Sequence, residues 1–525
     1  MNKKILSGIL AAILAVSCLA SCGSGDDSDT SSSGDSDTLV YAQGADPRGL
    51  DPQIVDDGES AKVTNQIYEG LLQYEDDSTE VKACLAKDWE ISDDGLVYTF
   101  YLQEGVKFHD GTDFNAEAVK YNVERNTINK TEDMTYADFV WGYVSGVEVV
   151  DEYTVNITLS QPSTPFLANL AMVFGAPMVS PTAAEEGDLM NEPVGTGPYK
   201  FVEWKKDQYV KLEANEDYWN EDGKAQITNV VIRTIEDAST KILELQSGDV
   251  DIIDGIDTNQ VASLESDSNI TVNTTPGMNI NYMAYNAERL DKETRVALSQ
   301  SVNVEELVAG LYNGYAEVAT TILPTFVPGY SADVTQIAYD PDAAKATLEE
   351  KGITSLHVIT YTNARPYNTA TGQTLTEAIQ GYFSEVGVEV EIDSYDWTTY
   401  KDKAIAGDYD ICFYGWSGDN GDPDNFLNLL SDTNAGMNVA RFNLATNEDD
   451  QEAYAEYAEM ISEAAQEPSG DSRNAMYAEM EQFVADLALW LPISHQQDIT
   501  ACKANVQNFE YHCTATVKLY KVTKS

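Results

Sequence analysis

Apolar positions recur along this chain with two periods, and segments of the two kinds alternate. Period-two alternation runs through "LVYTFYLQ" (96–103), "DEYTVNITLS" (151–160) and "VGVEVEID", where Val386, Val388, Val390 and Ile392 share one face; it predicts strands with one buried side. Helical spacing appears in "AKVTNQIYEGLL", with Val63, Ile67 and Leu71, and in "LTEAIQGYFSEV", with Leu375, Ala378, Ile379, Tyr382 and Val386. A helix over 375–386 feeding a strand over 386–392 is the repeating unit of an α/β domain. The run 292–314 reads as mostly helical, and "AMYAEMEQFVADLALWLP" predicts a last amphipathic helix stopped by Pro492, before a strand-rich tail.

The first residues follow neither period. "MNKK" is basic, "ILSGILAAILAVSCLA" is apolar but short for a membrane span, and small residues precede Cys22: a secretion signal over 1–21. The segment 22–38 is dominated by Ser, Asp and Gly and has almost nothing to bury, so it predicts a solvated tether, with the fold beginning near Leu39. The roughly 490 residues that remain exceed one hydrophobic core and suit two or three domains. The domains expected are a first lobe (39–70, 190–275 and 490–525), an accessory subdomain (71–189) and a second lobe (276–489), with turn signals over 276–290 marking the crossing into the second lobe. A tail that returns to the first lobe makes the chain a clamshell with a cleft between lobes.

Charge narrows the function classes. With 88 acidic and 31 basic side chains the formal charge is -57, which repels nucleic acid and anionic lipid. Beyond Cys22 there are four cysteines. Cys502 and Cys513 flank "KANVQNFEYH", a spacing that a hairpin closes with a disulfide in an oxidising exterior, and Cys412 in "DICFY" reads as a small buried hydrophobe. The four histidines, His109, His357, His495 and His512, are scattered, so no zinc site is expected. There is no GxxxxGK and no GxSxG; Pro198 after "VGTG" forbids the helix that dinucleotide binding needs. No cofactor and no catalytic residue is expected, although a secreted hydrolase remains the alternative from a different class.

The densest candidate chemistry is "GWSGDNGDPDNFL", Gly415 to Leu427, with Asp419, Asp422 and Asp424 directly after a strand-like run. It fails the EF-hand pattern, since Gly421 and Leu430 stand where ligands belong. The remaining readings are an ordinary turn, an acidic catalytic cluster, or a wall that grips a cation.

This loop resembles the signature segment of the bacterial dipeptide-binding proteins, within family 5 of the extracellular solute-binding proteins, the peptide and nickel binding lipoproteins of ABC importers. "DPRGLDPQ" (46–53), "IYEGLLQYEDD" (67–77), 85–125, "PVGTGPYKFVEW" (193–204), "LQSGDVDI" (245–252) and "YDPDAAKATLEEKG" (339–352) resemble that family too, in its order. The resemblance implies a type II periplasmic-binding-protein clamshell of the large cluster C form, α/β in class, with the ligand in the interlobe cleft. It implies that Arg365, in "RPYN", holds a dipeptide's carboxylate and that Asp419 holds its ammonium, with Tyr367 and Trp416 as pocket walls and Gly44 and Ala45 offering backbone groups. It implies lipidation of Cys22, a place on the outer face of the membrane, a monomer, and delivery to a permease. Oligopeptides, nickel chelates and haem are the alternatives within the family. The acidic surface and the tether look like those of a Gram-positive lineage.

Overall fold

The structure is a computed structural model that describes residues 37–525. The secretion signal, Cys22 and all but the end of the tether lie outside the described residues. The first strand opens at Thr38, one residue from the expected start.

One large sheet organises the body. Its main strands are β1 (Thr38–Gln43), β2 (Asn229–Thr234), β3 (Ile252–Ile253), β4 (Asn279–Tyr285), β5 (Ser355–Tyr361), β6 (Glu389–Tyr395), β7 (Ile411–Ser417) and β8 (Trp490–Lys503). They lie in the order β6, β5, β7, β4, β8, β3, β1, β2, and Tyr209–Ala214 and Tyr199–Lys205 extend the β2 edge. β1 runs parallel to β2 and β3, and β5 runs parallel to β6 and β7; helices cross from β2 to β3 (Ala238–Ser247), from β5 to β6 (Gly372–Glu385) and from β6 to β7 (Trp397–Ala406), while β4 and β8 are antiparallel to their neighbours. β8 belongs to both halves: Trp490 to Ser494 pair with β4, while Gln497 to Lys503 pair with Ile270–Pro276. β4 is buried along its whole length, as expected of a strand covered on both faces.

A separate four-stranded antiparallel sheet, ordered Ala86–Ile91, Val97–Leu102, Thr154–Leu159, Val144–Asp151, forms with helix α2 (Ala116–Asn126) its own core around Phe100, Val119, Val123 and Ile157. Helix α1 (Gly58–Ile67) is capped by Asp57, whose side chain accepts from the Ser60 amide, and buries Val63 and Ile67 against β1 and β3.

Two expectations fail. The last helix, α4 (Asp471–Leu487), stops short of Pro492: Ala488 takes a left-handed φ of 49°, and Trp490 already opens β8 with its ring stacked on Tyr282 at 4.4 Å. Pro492 instead sits inside β8 where the register with β4 shifts, a place where the missing amide costs no ladder bond. The Cys502–Cys513 disulfide does not form either, and both are free thiols. The stretch between them is no simple hairpin. Cys502 is fixed within β8 opposite Ile252 and Thr271, Val506–Gln507 pairs with Thr523–Lys524, and the Cys513 carbonyl accepts from the Met278 amide. Cys412 is fully buried in the β7 core, which pushes its thiol up to about 12.

Candidate functional site

Because β5 and β7 are parallel neighbours, with Val358 opposite Ile411, the chain leaves both at the same edge of the sheet. Arg365 follows β5 and Asp419 follows β7, so the two charged candidates stand on adjacent loops. This is the carboxyl edge of a parallel pair, where α/β sheets place ligands.

The Arg365 loop is a small hairpin, Ala364–Arg365 with Asn368–Thr371. Asn368 anchors it: fully buried, it accepts from the Tyr312 hydroxyl at 2.8 Å and donates to the Tyr361 hydroxyl at 3.0 Å. The Arg365 guanidinium lies over the Trp397 ring, 3.9 Å from its centroid. Trp397 opens helix α3 (Trp397–Ala406) and packs edge-on against Tyr361, so the platform under the arginine is rigid. Stacking leaves the edge of the guanidinium fork available. Among the described residues Arg365 makes no ion pair, and its buried Nε has no hydrogen-bond partner.

Asp419 is held by neutral donors. The Tyr136 hydroxyl donates to Oδ1 at 2.6 Å and the Asn425 amide to Oδ2 at 3.3 Å. Asn425 also accepts from the Asp419 amide at 3.0 Å and from the Trp416 indole at 2.8 Å, so a single side chain fixes the loop, the carboxylate and the Trp416 ring. Burial raises the Asp419 carboxyl above the usual range, against the two neutral hydrogen bonds that lower it, because no cation is paired with it. Asp419 and Arg365 are thus opposite charges, each without a counter-charge of its own.

Tyr367 is buried with an unpartnered hydroxyl and presses on β7, where a Cβ at Gly415 would stand 2.2 Å from its ring. Only glycine admits that approach. Gly421 is similar: a Cβ there would meet Thr79 of the 71–189 segment at 1.9 Å. Asp422 and Asp424 serve the loop. Asp422 takes a bidentate pair from Arg473 of α4 at 2.7 and 2.8 Å and caps the turn at the Asp424 amide, while burial pushes Asp424 up to about 7. Among the described residues no group of His, Cys, Asp and Glu is placed to hold a metal ion. Gly44 and Ala45 lie just past the end of β1, and the Ala45 carbonyl already accepts from the Gln43 side chain at 2.9 Å.

The sequence profile of the Bacterial extracellular solute-binding proteins, family 5 Middle, matches residues 80–438. The chain belongs to this family. Heme-binding protein A of Haemophilus influenzae is 31% identical over 520 residues, 91% of this chain and 90% of its own length. The Dipeptide-binding protein of Escherichia coli is 30% identical over 505 residues, covering 90% of this chain and 92% of the relative. The periplasmic binding protein DppA from Helicobacter pylori, solved with the peptide STSA, superposes with a TM-score of 0.75 at 29% identity, covering 93% of this chain and 98% of that one. The fold is that of the family 5 binding proteins, a two-lobed α/β clamshell, and these relatives are solute-binding transport proteins rather than enzymes. Family 5 proteins work outside the cytoplasmic membrane, and among the described residues no helix is long and apolar enough to cross one.

Three site residues had no legible role in the sequence. Tyr136 reaches Asp419 across 283 positions, Trp397 meets Arg365 only through the packing of α3 on β5, and Asn425 lies inside the Asp-rich loop without a pattern that marks it as the linchpin. A cavity of about 90 Å³ lies beside Glu69. That carboxylate accepts from Thr196, Tyr218 and Trp219, so the resembling segments "YEGLL" and "GTGPY" meet in a satisfied structural knot.

Proposed function

We propose that this protein captures dipeptides in the cleft of the clamshell and delivers them to the permease of an ABC importer. Asp419 takes the peptide ammonium and Arg365 its carboxylate. The observation that carries the reading is the pair of uncompensated opposite charges on adjacent loops of one sheet edge. A zwitterion enclosed by closing lobes loses water at both ends, so each terminus needs a partner of opposite charge or closure is opposed. Charge-assisted bonds worth about 1.5–3 kcal/mol each supply a good part of the roughly 8 kcal/mol of a micromolar complex. Tyr367 and Trp416 wall the pocket, and Gly44 and Ala45 present backbone from the facing lobe.

In this reading the lobes are 39–70 with 190–275 and 490–525, and 276–489, with 71–189 carried as a subdomain that supplies Tyr136 to the closed cleft. Binding shifts an equilibrium between open and closed forms and breaks no covalent bond. Cys22 carries the lipid that holds a monomeric receptor on the outer face of the membrane.

Calorimetry on protein unfolded and refolded to strip retained ligand tests the reading. Ala-Ala binds, while Ala-Ala-Ala and N-acetyl-Ala-Ala bind at least tenfold more weakly. The Helicobacter pylori relative solved with a tetrapeptide favours a second reading, a longer peptide. Preference for Ala-Ala-Ala, or indifference to acetylation, selects it and reduces Asp419 to a turn residue.

A further inference from the structure

Behind Gly44 the charges of the cleft wall do not balance. Lys62 of α1 donates to Asp254 and, at 3.2 Å, to Glu59; Lys241 donates to the Asp254 carbonyl at 2.7 Å and to its carboxylate at 3.4 Å. Tyr41 completes the knot with a 2.7 Å bond to Asp254. Two ammonium groups therefore meet two carboxylates, and both lysines are nearly inaccessible, at 6% and 4% exposure. Their paired charges hold the Asp254 carboxyl down to about 2.

Asp498 of β8 is the carboxylate left over. It accepts no hydrogen bond and makes no ion pair among the described residues, although it is only partly exposed. Lys62, the cation whose field favours its charge, is already held by Asp254 and Glu59, and burial pushes the Asp498 carboxyl up to about 7. Its neighbours connect it to the loops of both proposed ends of the ligand. Alternation along β8 puts Gln496 and Asp498 on one face, and the Gln496 side chain accepts from Thr369 at 2.8 Å, in the hairpin of Arg365. On the other side Asp498 Oδ2 lies 3.2 Å from where a Cβ on Gly277 would stand. The carbonyl of the next residue, Met278, accepts from the Gly418 amide at 2.7 Å, beside Asp419. The hydroxyl of the half-buried Tyr511 lies in the same field, with Lys62, Asp498, Asp254 and Glu59 all acting on it.

We propose that Asp498 is a subsite for a cationic side chain, so that among dipeptides the protein prefers those carrying lysine or arginine. The subsite rests on the dipeptide reading above and deepens it. A partly buried carboxylate without a partner opposes closure over an apolar ligand, while a basic side chain supplies its missing counter-charge. The neutralised Lys62, Lys241, Asp254 and Glu59 add no net charge to repel that cation.

The experiment compares Ala-Ala, Ala-Lys, Lys-Ala and their norleucine counterparts by calorimetry on the refolded protein and on Asp498→Asn. At least one lysyl peptide binds the native protein about tenfold more tightly than its norleucine match; the variant loses that ratio and keeps its affinity for Ala-Ala. Retained Ala-Ala binding also certifies that the variant is folded. Equal binding of lysyl and norleucyl peptides by the native protein overturns the subsite while leaving the dipeptide reading intact, as does an unchanged ratio in the variant. An Asp498→Asn protein that loses Ala-Ala and lysyl peptides alike overturns it too, because the carboxylate then serves the peptide terminus or the fold. Absence of all Ala-Ala binding to the native protein overturns the dipeptide reading and the subsite together.

Discussion

Replacing Asp419 with Asn removes one charge and almost no volume, and it separates two effects of opposite sign. The ammonium loses its charged partner in a desolvated cleft, and removing one member of such a pair costs about 2–5 kcal/mol of affinity. Dissociation constants for Ala-Ala therefore rise roughly 30-fold to several thousandfold. The ligand-free fold moves the other way. The Asp419 carboxyl is raised by burial, so ionising it opposes folding: the native protein loses stability as pH climbs from the ordinary carboxylate pKa through the raised one, and the loss is complete above it. Asn carries no such charge. Its carbonyl still accepts from Tyr136, and the bond given up, from Asn425, is the long one at 3.3 Å. The variant therefore melts higher than the native protein at pH 7 and at nearly the same temperature at pH 3, below both pKa values. Calorimetric titration and thermal melts at the two pH values read both effects. An Asp419→Asn protein whose affinity for Ala-Ala stays within threefold of the native value would falsify the ammonium role. A lower melting temperature at pH 7 with weakened binding would instead mean that the carboxylate is a structural part of the loop.

Three further outcomes are expected. Arg365→Lys weakens dipeptide binding about tenfold, because a point charge neither stacks on Trp397 at 3.9 Å nor presents two parallel donors; equal affinity in titration would exclude bidentate capture. Gly415→Ala drives a methyl toward the Tyr367 ring at 2.2 Å and the Ile280 carbonyl at 2.5 Å, costing about 1–3 kcal/mol of stability, read as a lower urea unfolding midpoint, and displacing a pocket wall; an unchanged midpoint refutes the packing argument. Glu481 is buried, with one carboxylate oxygen unpartnered, and is pushed up to about 7, so its ionisation penalises the fold increasingly as pH rises from the unfolded pKa near 4.3 to about 7. Glu481→Gln consequently gains melting temperature over the native protein between pH 5 and pH 8, and a constant difference across that range rules the argument out.

The sequence by itself determined the element types, because period-two and period-3.6 patterns follow from local backbone geometry. Leu96 to Gln103 and Leu375 to Val386 folded as their spacing required, within a few residues at the ends. It also yielded the family, since many resembling segments occur in order over most of the chain. Local pattern was a poor guide where the decision was long-range. Pro492 looked like a helix stop and became a tolerated break in a strand ladder, because the register shift between β8 and β4 removes the need for its amide. Cys502 and Cys513 looked like a hairpin pair, yet β8 and the Met278 contact hold them separately. At the site, sequence supplied the chemical types of Arg365 and Asp419. That they share an edge follows from β5 and β7 being parallel neighbours. That neither charge is already paired depends on which side chains the fold brings within reach: Tyr136 and Asn425 at Asp419, and Trp397 at Arg365; among the described residues Asp498 likewise has no hydrogen-bond or ion-pair partner. Whether a charge is spent or free depends on the sum of its neighbours in space, and no spacing along the chain encodes that sum.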